Sequence, residues 1–269
     1  MSALDFFELS EEQLKAFSRS AVRTKIMLIL QEGEMAGSDL EEKMNIRLST
    51  ILHSMREMID EGLVAKTARG YRLTNIGKIQ ALLLDELVSA IAILEKYKVY
   101  WLTHDLSGIP TDLLAKIGLL GRSEMISGDH ITLLRALDNF IAELDKSKEI
   151  RGVSPVIIPQ YPEAIATAVM NGANVHLILT KKIFDIAIKE YYDLYKDLLS
   201  HKNLRLFYIE ENVNVAFTVL DDVVSLGLFR LDGEYDLGSD IFCYGAKAVE
   251  WGSDLFEYYL KRSHLVESL

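Results

Sequence analysis

The sequence contains a single cysteine and no long uncharged segment. Cys243 alone excludes an internal disulfide framework and a cysteine-rich zinc site, and a lone cysteine is typical of a reducing cytoplasm. No two of the six histidines are three or four residues apart, so we expect neither a bound metal nor another cofactor. No uncharged run reaches the roughly 18 residues that a membrane span needs. The first residues lack a basic stretch followed by an apolar one, so we expect a cytoplasmic chain without a signal peptide or a membrane partner.

Motifs for nucleophilic and phosphate chemistry are also missing. The sequence has no Gly-x-Ser-x-Gly elbow and no P-loop. Paired carboxylates such as Glu210 with Glu211 and Asp221 with Asp222 lie at the ends of predicted strands, where turn residues are commoner than acid–base catalysts. We therefore expect no catalytic residues and a protein that is not an enzyme.

Negative charge dominates the chain, but it is unevenly distributed. The formal net charge is −11, of which residues 1–80 carry −1 and residues 81–269 carry −10. Residues 43–78, in contrast, contain seven basic and three acidic residues, a net charge of +4. A basic segment within an acidic chain confines contact with nucleic acid to that segment, because the remainder repels phosphate.

The basic segment has the order of elements of a winged helix-turn-helix. Residues 20–46 predict two short helices, and residues 47–64 predict a longer helix with a continuous apolar face. Gly62 ends this helix because glycine adopts a positive φ at little cost. Val64–Lys66 and Tyr71–Leu73 then predict two strands around a tip at residues 68–70.

Polar and basic side chains occupy the positions at which such a domain contacts DNA. They lie at the start of the longer helix, on its polar face and in the wing, and they are residue types that bind base edges and phosphates. We therefore predict double-stranded DNA as a partner. The predicted DNA-binding residues are Arg47, Ser49, Thr50, His53, Arg56, Lys66, Arg69 and Arg72. The alternative is a winged helix that contacts another protein.

Residues 75–104 predict one long helix that follows the wing. Apolar residues from Leu83 to Trp101 are spaced alternately by four and three residues, as in a coiled-coil seam. The spacing is compatible with a seam between two chains, hence a homodimer, and equally with packing inside one chain.

Strand-like and helix-like segments alternate after residue 107, which predicts an α/β sheet that is parallel at first and antiparallel late. The predicted class is α/β, with three parts. Residues 1–78 form an α+β winged helix-turn-helix domain, residues 79–106 a long linker or dimerisation helix, and residues 107–269 a mixed-sheet α/β effector-sensing domain.

Two stretches resemble a known family. TARGYRLTNIGK, residues 67–78, is similar to the wing of archaeal winged-helix transcription regulators, with a basic strand, Gly-Tyr and Leu-Thr-x-x-Gly. AVEWGSDLFEYYLKRS, residues 248–263, resembles the closing helix of archaeal regulators that have a degenerate phospholipase-D-like domain. The C-terminal part is similar to the effector domain of methanogen regulators that act on methanogenesis. The resemblance implies a sequence-specific DNA-binding transcription regulator that responds to an effector through its C-terminal domain.

The sequence departs from active phospholipase-D enzymes, which carry His-x-Lys. His176 is followed two residues later by Ile178, and His201 by Asn203. The resemblance therefore implies a sensor domain that keeps a cleft at its strand ends for a small-molecule effector. Ser154, Thr180 and Lys181 follow predicted strands and are the candidate effector-binding residues. The enzymatic alternative is a phosphodiesterase-like or nucleotide-processing enzyme with an appended DNA-binding domain.

Overall fold

The computed structural model describes residues 2–127 and 135–269. They divide into two compact units, Met1–Val88 and Ser89–Leu269. Within the described ranges, no helix is both long enough and apolar enough to cross a membrane. Each unit has its own buried core.

The first unit is built from helices and a small antiparallel hairpin. A short 3-10 turn, Leu30–Glu32, separates the second helix from the third. The elements are α1 (Ala3–Ser18), α2 (Ala21–Ile29), α3 (Gly37–Met44), α4 (Leu48–Asp60), β1 (Val64–Lys66), β2 (Tyr71–Leu73) and the first part of α5 (Asn75–Lys96).

The core of the first unit forms where the apolar faces of these helices meet. Ile26 and Met27 of α2 pack with Leu40 of α3 and with Ile51 and Met58 of α4, all almost fully buried. The predicted apolar face of the longer helix is therefore the face that α4 buries. The helix itself is shorter than predicted, because Gly62 at φ +73° turns the chain into β1.

The second unit contains a mixed sheet and the helices that cover it, with a 3-10 turn at Ile117–Leu120. Its elements, after the last part of α5, are α6 (Lys98–Thr103), α7 (Thr111–Leu114), β3 (Ser123–Ser127), α8 (Arg135–Leu144), β4 (Glu149–Ser154), α9 (Tyr161–Met170), β5 (Asn174–Thr180), α10 (Lys181–Glu190), α11 (Tyr192–Leu198), β6 (Leu204–Ile209), β7 (Val215–Val219), β8 (Val223–Leu228), β9 (Ser239–Tyr244), α12 (Ala246–Leu260) and β10 (His264–Leu265). Residues 131–134, the first part of a helix predicted over residues 131–144, lie outside the described residues.

The strand order of this sheet is β10-β6-β5-β4-β7-β8-β9-β3 across the described residues. β4, β5 and β6 are parallel to one another, and the strands from β7 to β3 are joined in antiparallel pairs. The predicted α/β class is confirmed. The change from parallel to antiparallel pairing is found from β4 to β9, but β3, the first strand of the sheet, pairs antiparallel with β9.

Helices cover both faces of the sheet, which explains why its strands are apolar runs. On one face, Trp251 and Phe256 of α12 pack against Val153 and Ile178. On the other face, α9 packs against Val175 and its neighbours. The indole Nε1 of Trp251 donates to the carbonyl of Leu113 at 2.9 Å, so the Trp-Gly stretch of the closing helix is a packing feature.

The prediction of one continuous helix over residues 75–104 is wrong. α5 ends at Lys96, and Tyr97 leaves helical geometry at φ −118° and ψ 32° before α6 begins. The change of direction buries Tyr97 and Tyr100 in the core of the second unit and brings the Trp101 indole within 3.0 Å of the Ile93 carbonyl. The C-terminal part of the proposed linker therefore packs inside the second unit, whereas Leu83 and Leu87 stay more than half exposed. The three-part division of the chain stays a prediction.

Candidate nucleic-acid interface

Helix α4 is fixed at both ends by side chains from neighbouring helices. Glu41 of α3 accepts the backbone N–H of Leu48 at 2.8 Å, which satisfies one of the free donors of the first turn. Arg47 occupies the N-cap position and is exposed, with no capping bond from its own side chain. The first turn of α4 is thereby held open to solvent with a guanidinium at its start.

One face of α4 remains free of the core. Ser49, His53 and Arg56 are spaced by four and three residues, which puts them on one side of the helix, and all three are exposed. Thr50 is exposed beside them in the first turn. The Nε2 atom of His53 lies 3.4 Å from the carboxylate of Glu57. The predicted polar face of the longer helix is thus the solvent-exposed face of α4.

The wing is a tight turn shaped by Thr67. Its backbone N–H donates to the Gly70 carbonyl at 2.8 Å, and its Oγ1 accepts the N–H groups of Arg69 and Gly70 at 3.2 Å each. Gly70 has φ +146°, and a Cβ there would lie 2.1 Å from the carbonyl oxygen of Met35. These bonds leave the Arg69 side chain exposed at the tip. Thr67 was not among the predicted site residues.

The hairpin gains a third partner that the sequence did not predict. Met35 pairs with Tyr71 through N–H···O bonds of 3.0 and 2.8 Å. β1 and β2 pair antiparallel with Lys66 opposite Tyr71. Lys66 and Arg72 are both exposed on the resulting small sheet.

The basic residues of this surface have no carboxylate partners among the described residues. They are Arg47, Arg56, Lys66, Arg69 and Arg72, and none takes part in an ion pair within 4.0 Å. We call the eight predicted residues, these five with Ser49, Thr50 and His53, the basic face. Other cations of the first unit, such as Arg23 and Lys43, are paired with glutamates. Positive charge on the basic face is therefore available to an external anion.

Arg23 of α2 pairs with acidic residues near the C-terminal end of α4. The buried guanidinium of Arg23 donates to both carboxylate oxygens of Glu61, with Nη1 at 2.8 Å from Oε1, and lies 3.7 Å from Glu57. The hydrogen bonds from Arg23 hold the pKa of Glu61 below its usual value. Glu61 thus ties α4 to α2.

The Leu-Thr-x-x-Gly stretch forms the joint between the wing and α5. The Thr74 hydroxyl donates to the Gly62 carbonyl at 2.6 Å and accepts the N–H of Gly77 at 3.1 Å, so it caps the first turn of α5. A Cβ on Gly77 would lie 2.0 Å from the Leu63 carbonyl oxygen. The start of α5 therefore rests directly on the backbone that enters the wing.

Of the three predicted effector residues, the structure brings only Ser154 to a cavity of the second unit. Its hydroxyl donates to the Val156 carbonyl at 2.7 Å. Thr180 is the N-cap of α10, and the Lys181 ammonium bonds to Asp185 on the surface of that helix.

His176, which the sequence analysis compared with the histidine of the phospholipase-D His-x-Lys motif, is half-buried on β5. It lies in register between Arg151 and Arg205 and stacks near Phe256. Burial, and secondly Arg205, lower the pKa of His176. Ile178, where those enzymes have lysine, is buried. No group of three or more histidine, cysteine or acidic side chains is arranged to hold a metal within the described part of the chain.

Two family models match this chain. Residues 11–92 match the N-terminal domain of the methanogenesis regulatory protein FilR1, and residues 133–262 match its middle domain. The chain is 36% identical over 257 residues to the methanogenesis regulatory protein FilR1 of Methanothrix harundinacea (strain 6Ac). That match covers 94% of this chain and 57% of the relative, so the chain spans a little over half of the relative's length.

Solved structures give weaker likenesses. TrmBL2, an archaeal chromatin protein whose structure is described as showing a novel mode of DNA binding, is 15% identical with a TM-score of 0.44, covering 98% of this chain and all of that one. Nuc, a phospholipase D family member from Salmonella typhimurium, is 13% identical with a TM-score of 0.42, covering 54% of this chain and 99% of that one. At these TM-scores neither likeness carries a conclusion, and the phospholipase-D-like origin of the second unit stays a prediction. The two domain matches and the identity to the curated relative confirm the predicted family: the chain belongs to the family of the methanogenesis regulatory protein FilR1.

Proposed function

We propose that this chain is a cytoplasmic transcription regulator that binds double-stranded DNA through its basic face and is not an enzyme. The observation that carries the proposal is the set of five exposed cations that have no carboxylate partner among the described residues, grouped at α4 and the wing of an otherwise acidic chain. Unpaired Lys and Arg side chains bind DNA phosphates and release condensed counterions, which is the main source of affinity. The family membership supports a regulatory role, because its named relative is a regulatory protein.

Two parts of the basic face would contact different parts of the DNA, the bases and the phosphates. Ser49, His53 and Arg56 lie along the exposed side of α4, where a helix in the major groove reaches base edges. Lys66, Arg69 and Arg72 lie on the wing, where contacts with the flanking phosphates set register without reading sequence. Arg47 and Thr50, at the start of α4, would contact either base edges or phosphates.

We further propose that two copies of the chain bind together. Ile76, Ile79, Leu83 and Leu87 follow one stripe of α5 at spacings of three, four and four, and each is 53–61% exposed. An exposed apolar stripe at this spacing is what a helix–helix seam between two copies requires. Because α5 starts at the wing, such a dimer would hold the two copies of α4, which we call the reading helix, at a defined spacing and match a two-fold symmetric operator.

An effector in the second unit would act by changing that spacing. α5 continues from the Thr74 and Gly77 joint, past the boundary between the units, to residues buried in the second core. A ligand that favours one geometry of this helix would shift the population of DNA-binding dimers.

The first experiment measures binding of the purified protein to DNA from its own upstream region at about 50 and 200 mM salt, with unrelated DNA as competitor. We expect retained binding at low salt, a strong loss at higher salt, and a preference for the upstream sequence over the competitor. Lys189→Ala serves as the charge-matched control for Arg69→Ala, because Lys189 is an exposed lysine of the second unit and is not one of the residues of the basic face.

Absence of binding at both salt concentrations would contradict DNA binding by the chain alone. Repeating the assay with cell extract then separates two explanations. Binding restored by a low-molecular-weight fraction would indicate a required effector, and continued absence would favour a winged helix that contacts protein. Turnover of a phosphodiester substrate by the purified chain would revive the enzymatic alternative.

A further inference from the structure

A cavity opens beside the sheet of the second unit, at the carboxyl ends of the parallel strands β4 and β5. Its inner part has a volume of about 60 Å³ and continues into an outer cleft of about 530 Å³. Most of the lining is apolar, with Leu177, Leu179 and Ile183 on one side. Ligands of α/β proteins bind at this end of the strands, and a largely apolar pocket with a few polar groups is the usual form of such a site.

One ionisable group lies at the junction of the two parts. Asp240 of β9 lines both the inner cavity and the outer cleft and is only 7% exposed. Its Oδ2 accepts the Ser225 hydroxyl at 3.2 Å, and its Oδ1 accepts the Tyr235 hydroxyl at 3.5 Å. Two neutral donors leave much of the acceptor capacity of a carboxylate unused.

The carboxylate closest in sequence, Asp236, has nitrogen partners that Asp240 lacks. Nη2 of Arg230 donates to Asp236 at 2.8 Å, and Nε2 of His104 lies 3.2 Å from it. Within the described ranges, no lysine, arginine or histidine nitrogen lies within 4.0 Å of Asp240. A buried carboxylate without a cation is costly, because burial removes its hydration and two hydrogen bonds from neutral hydroxyls replace only part of it.

The backbone is adapted to this carboxylate. Gly227 of β8 lies beneath it, and a Cβ there would be 2.1 Å from the Tyr235 hydroxyl and 2.6 Å from Oδ1 of Asp240. Only a glycine at this strand position lets the tyrosine and the aspartate lie over β8 together. Their placement is therefore specified by the sequence of a neighbouring strand.

We propose that this cavity binds a small organic amine, whose protonated nitrogen enters the inner cavity and pairs with Asp240 and whose apolar body occupies the outer cleft. A cation of the ligand would supply the missing partner of the buried carboxylate. Tyr161 and Phe140, with ring centroids 5.0 Å apart, line the same cavity and offer aromatic faces, which attract ammonium groups.

The ionisation state of the aspartate is compatible with this ligand. Burial raises the pKa of Asp240 to about 6, with a smaller raising contribution from Asp236, while the hydrogen bonds from Ser225 and Tyr235 oppose the rise. The carboxylate is therefore mainly ionised at pH 7, so that a cation binds it in preference to an anion.

The effector role of the amine rests on the proposed function, but binding to the cavity does not. The first test is therefore calorimetric titration without DNA, using three probes of one shape: 2-phenylethylamine, 2-phenylethanol and phenylacetate. The proteins are the wild-type chain, Asp240→Asn, Ala216→Leu and Asp254→Asn. Ala216 lines the inner cavity, so leucine there would fill it while Asp240 remains. Asp254 is an exposed carboxylate outside the cavity and controls for net charge.

We expect the amine to bind the wild type and the Asp254→Asn control alike, and more tightly than the alcohol or the acid. Asp240→Asn should weaken amine binding by about tenfold or more, the usual effect of losing a charge-assisted hydrogen bond, and Ala216→Leu should weaken it in the same direction. Equal amine affinity in wild type and Asp240→Asn would overturn the proposal. So would tighter binding of the acid, or no binding of the amine.

A second arm measures DNA binding with and without 2-phenylethylamine. A change of DNA affinity in the wild type that is lost in Asp240→Asn would make the cavity the effector site. If DNA binding is absent altogether while calorimetry gives the expected pattern, the proposed function fails and the amine site stands. If DNA binding is present and the amine does not bind, the site fails alone.

Discussion

Gly77 of α5 lies against the backbone of Leu63, so closely that a Cβ at position 77 would be 2.0 Å from the Leu63 carbonyl oxygen. The same carbonyl accepts the Thr74 backbone N–H at 3.0 Å. The close approach and the hydrogen bond together join the end of the reading helix, the wing and α5. This joint gives the Leu-Thr-x-x-Gly stretch a structural reason that does not depend on DNA.

Gly77→Ala should destabilise the first unit by about 1–3 kcal/mol, the usual cost of forcing an extra methyl group into a packed contact. The destabilisation arises because the carbonyl that would meet the methyl group is backbone and cannot rotate away. Urea unfolding measures it. Asn75→Ala, an exposed position of the same helix, is the control and should change stability by less than about 0.5 kcal/mol. Equal stability of Gly77→Ala and wild type would mean that the helix start moves freely.

Glu61→Gln should lower stability at neutral pH and lose its effect in acid. The folded pKa of Glu61 lies below its usual value because Arg23 donates hydrogen bonds to it, so its stabilising contribution is present above about pH 4.5 and lost as pH falls through the lowered pKa. Because the Glu61 side chain is 45% exposed, we expect a difference of only about 1 kcal/mol at pH 7. The measurement is urea unfolding of both proteins from pH 3 to 7. A difference that does not shrink toward low pH would contradict the pairing.

Asp240→Asn should have the opposite effect on the pH dependence of stability, because the pKa of Asp240 is raised in the folded protein. The folded pKa of Asp240 is raised from 3.8 to about 6, so the folded state holds the proton more tightly, and stability falls as pH rises between these values. A difference of about two between the folded and the unfolded pKa corresponds to about 3 kcal/mol of stability. In the absence of any amine, the stability of Asp240→Asn minus that of wild type should therefore increase by about this amount from pH 4 to pH 7. A difference independent of pH would mean that Asp240 is not desolvated.

Negative charge introduced into the α5 stripe should dissociate the proposed dimer into single chains. We expect the wild type to sediment at twice the chain mass of 30.4 kDa, and Leu83→Glu with Leu87→Glu to sediment at the chain mass, because buried glutamates face each other across the seam. Val88→Glu is the control, since Val88 is 40% exposed on the same helix and lies three or four residues from no member of the stripe. Sedimentation equilibrium distinguishes these outcomes. A wild-type monomer at micromolar concentration, or a dimer that survives both glutamates, would remove α5 as the seam.

The winged helix was predictable because its signals are local. The apolar positions of α4 repeat with the helix period, and Gly62 and Gly70 mark two of the turns that have a positive φ. Leu63 and Val64 continue the apolar pattern but belong to the turn and to β1, which is why α4 was predicted a turn too long. Glu41 and Met35 act through Leu48 and Tyr71, which no short-range pattern connects to them, whereas Thr67 acts on Arg69 and Gly70 within its own turn.

Most residues of the cavity in the second unit could not be predicted from the sequence. β9 was not predicted, because a strand covered on both faces does not alternate and Ser239 and Asp240 interrupt its apolar run. Asp240 meets Ser225 and Tyr235 only once β8 and β9 are paired. Ser154 was found because it ends a strand. Lys181 was expected at the cleft for the same reason, although its ammonium instead bonds to Asp185 one helical turn away.

The salt dependence of binding shows whether the basic face neutralises DNA phosphates. The logarithm of the association constant for upstream DNA is measured against the logarithm of salt concentration for wild type, for Lys66→Ala with Arg69→Ala, and for the Lys189→Ala control. We predict that the wing variant binds every sequence more weakly and that its slope is smaller by about two, one for each phosphate that the variant no longer neutralises. The control should match the wild type. A wing variant with an unchanged slope would contradict the account.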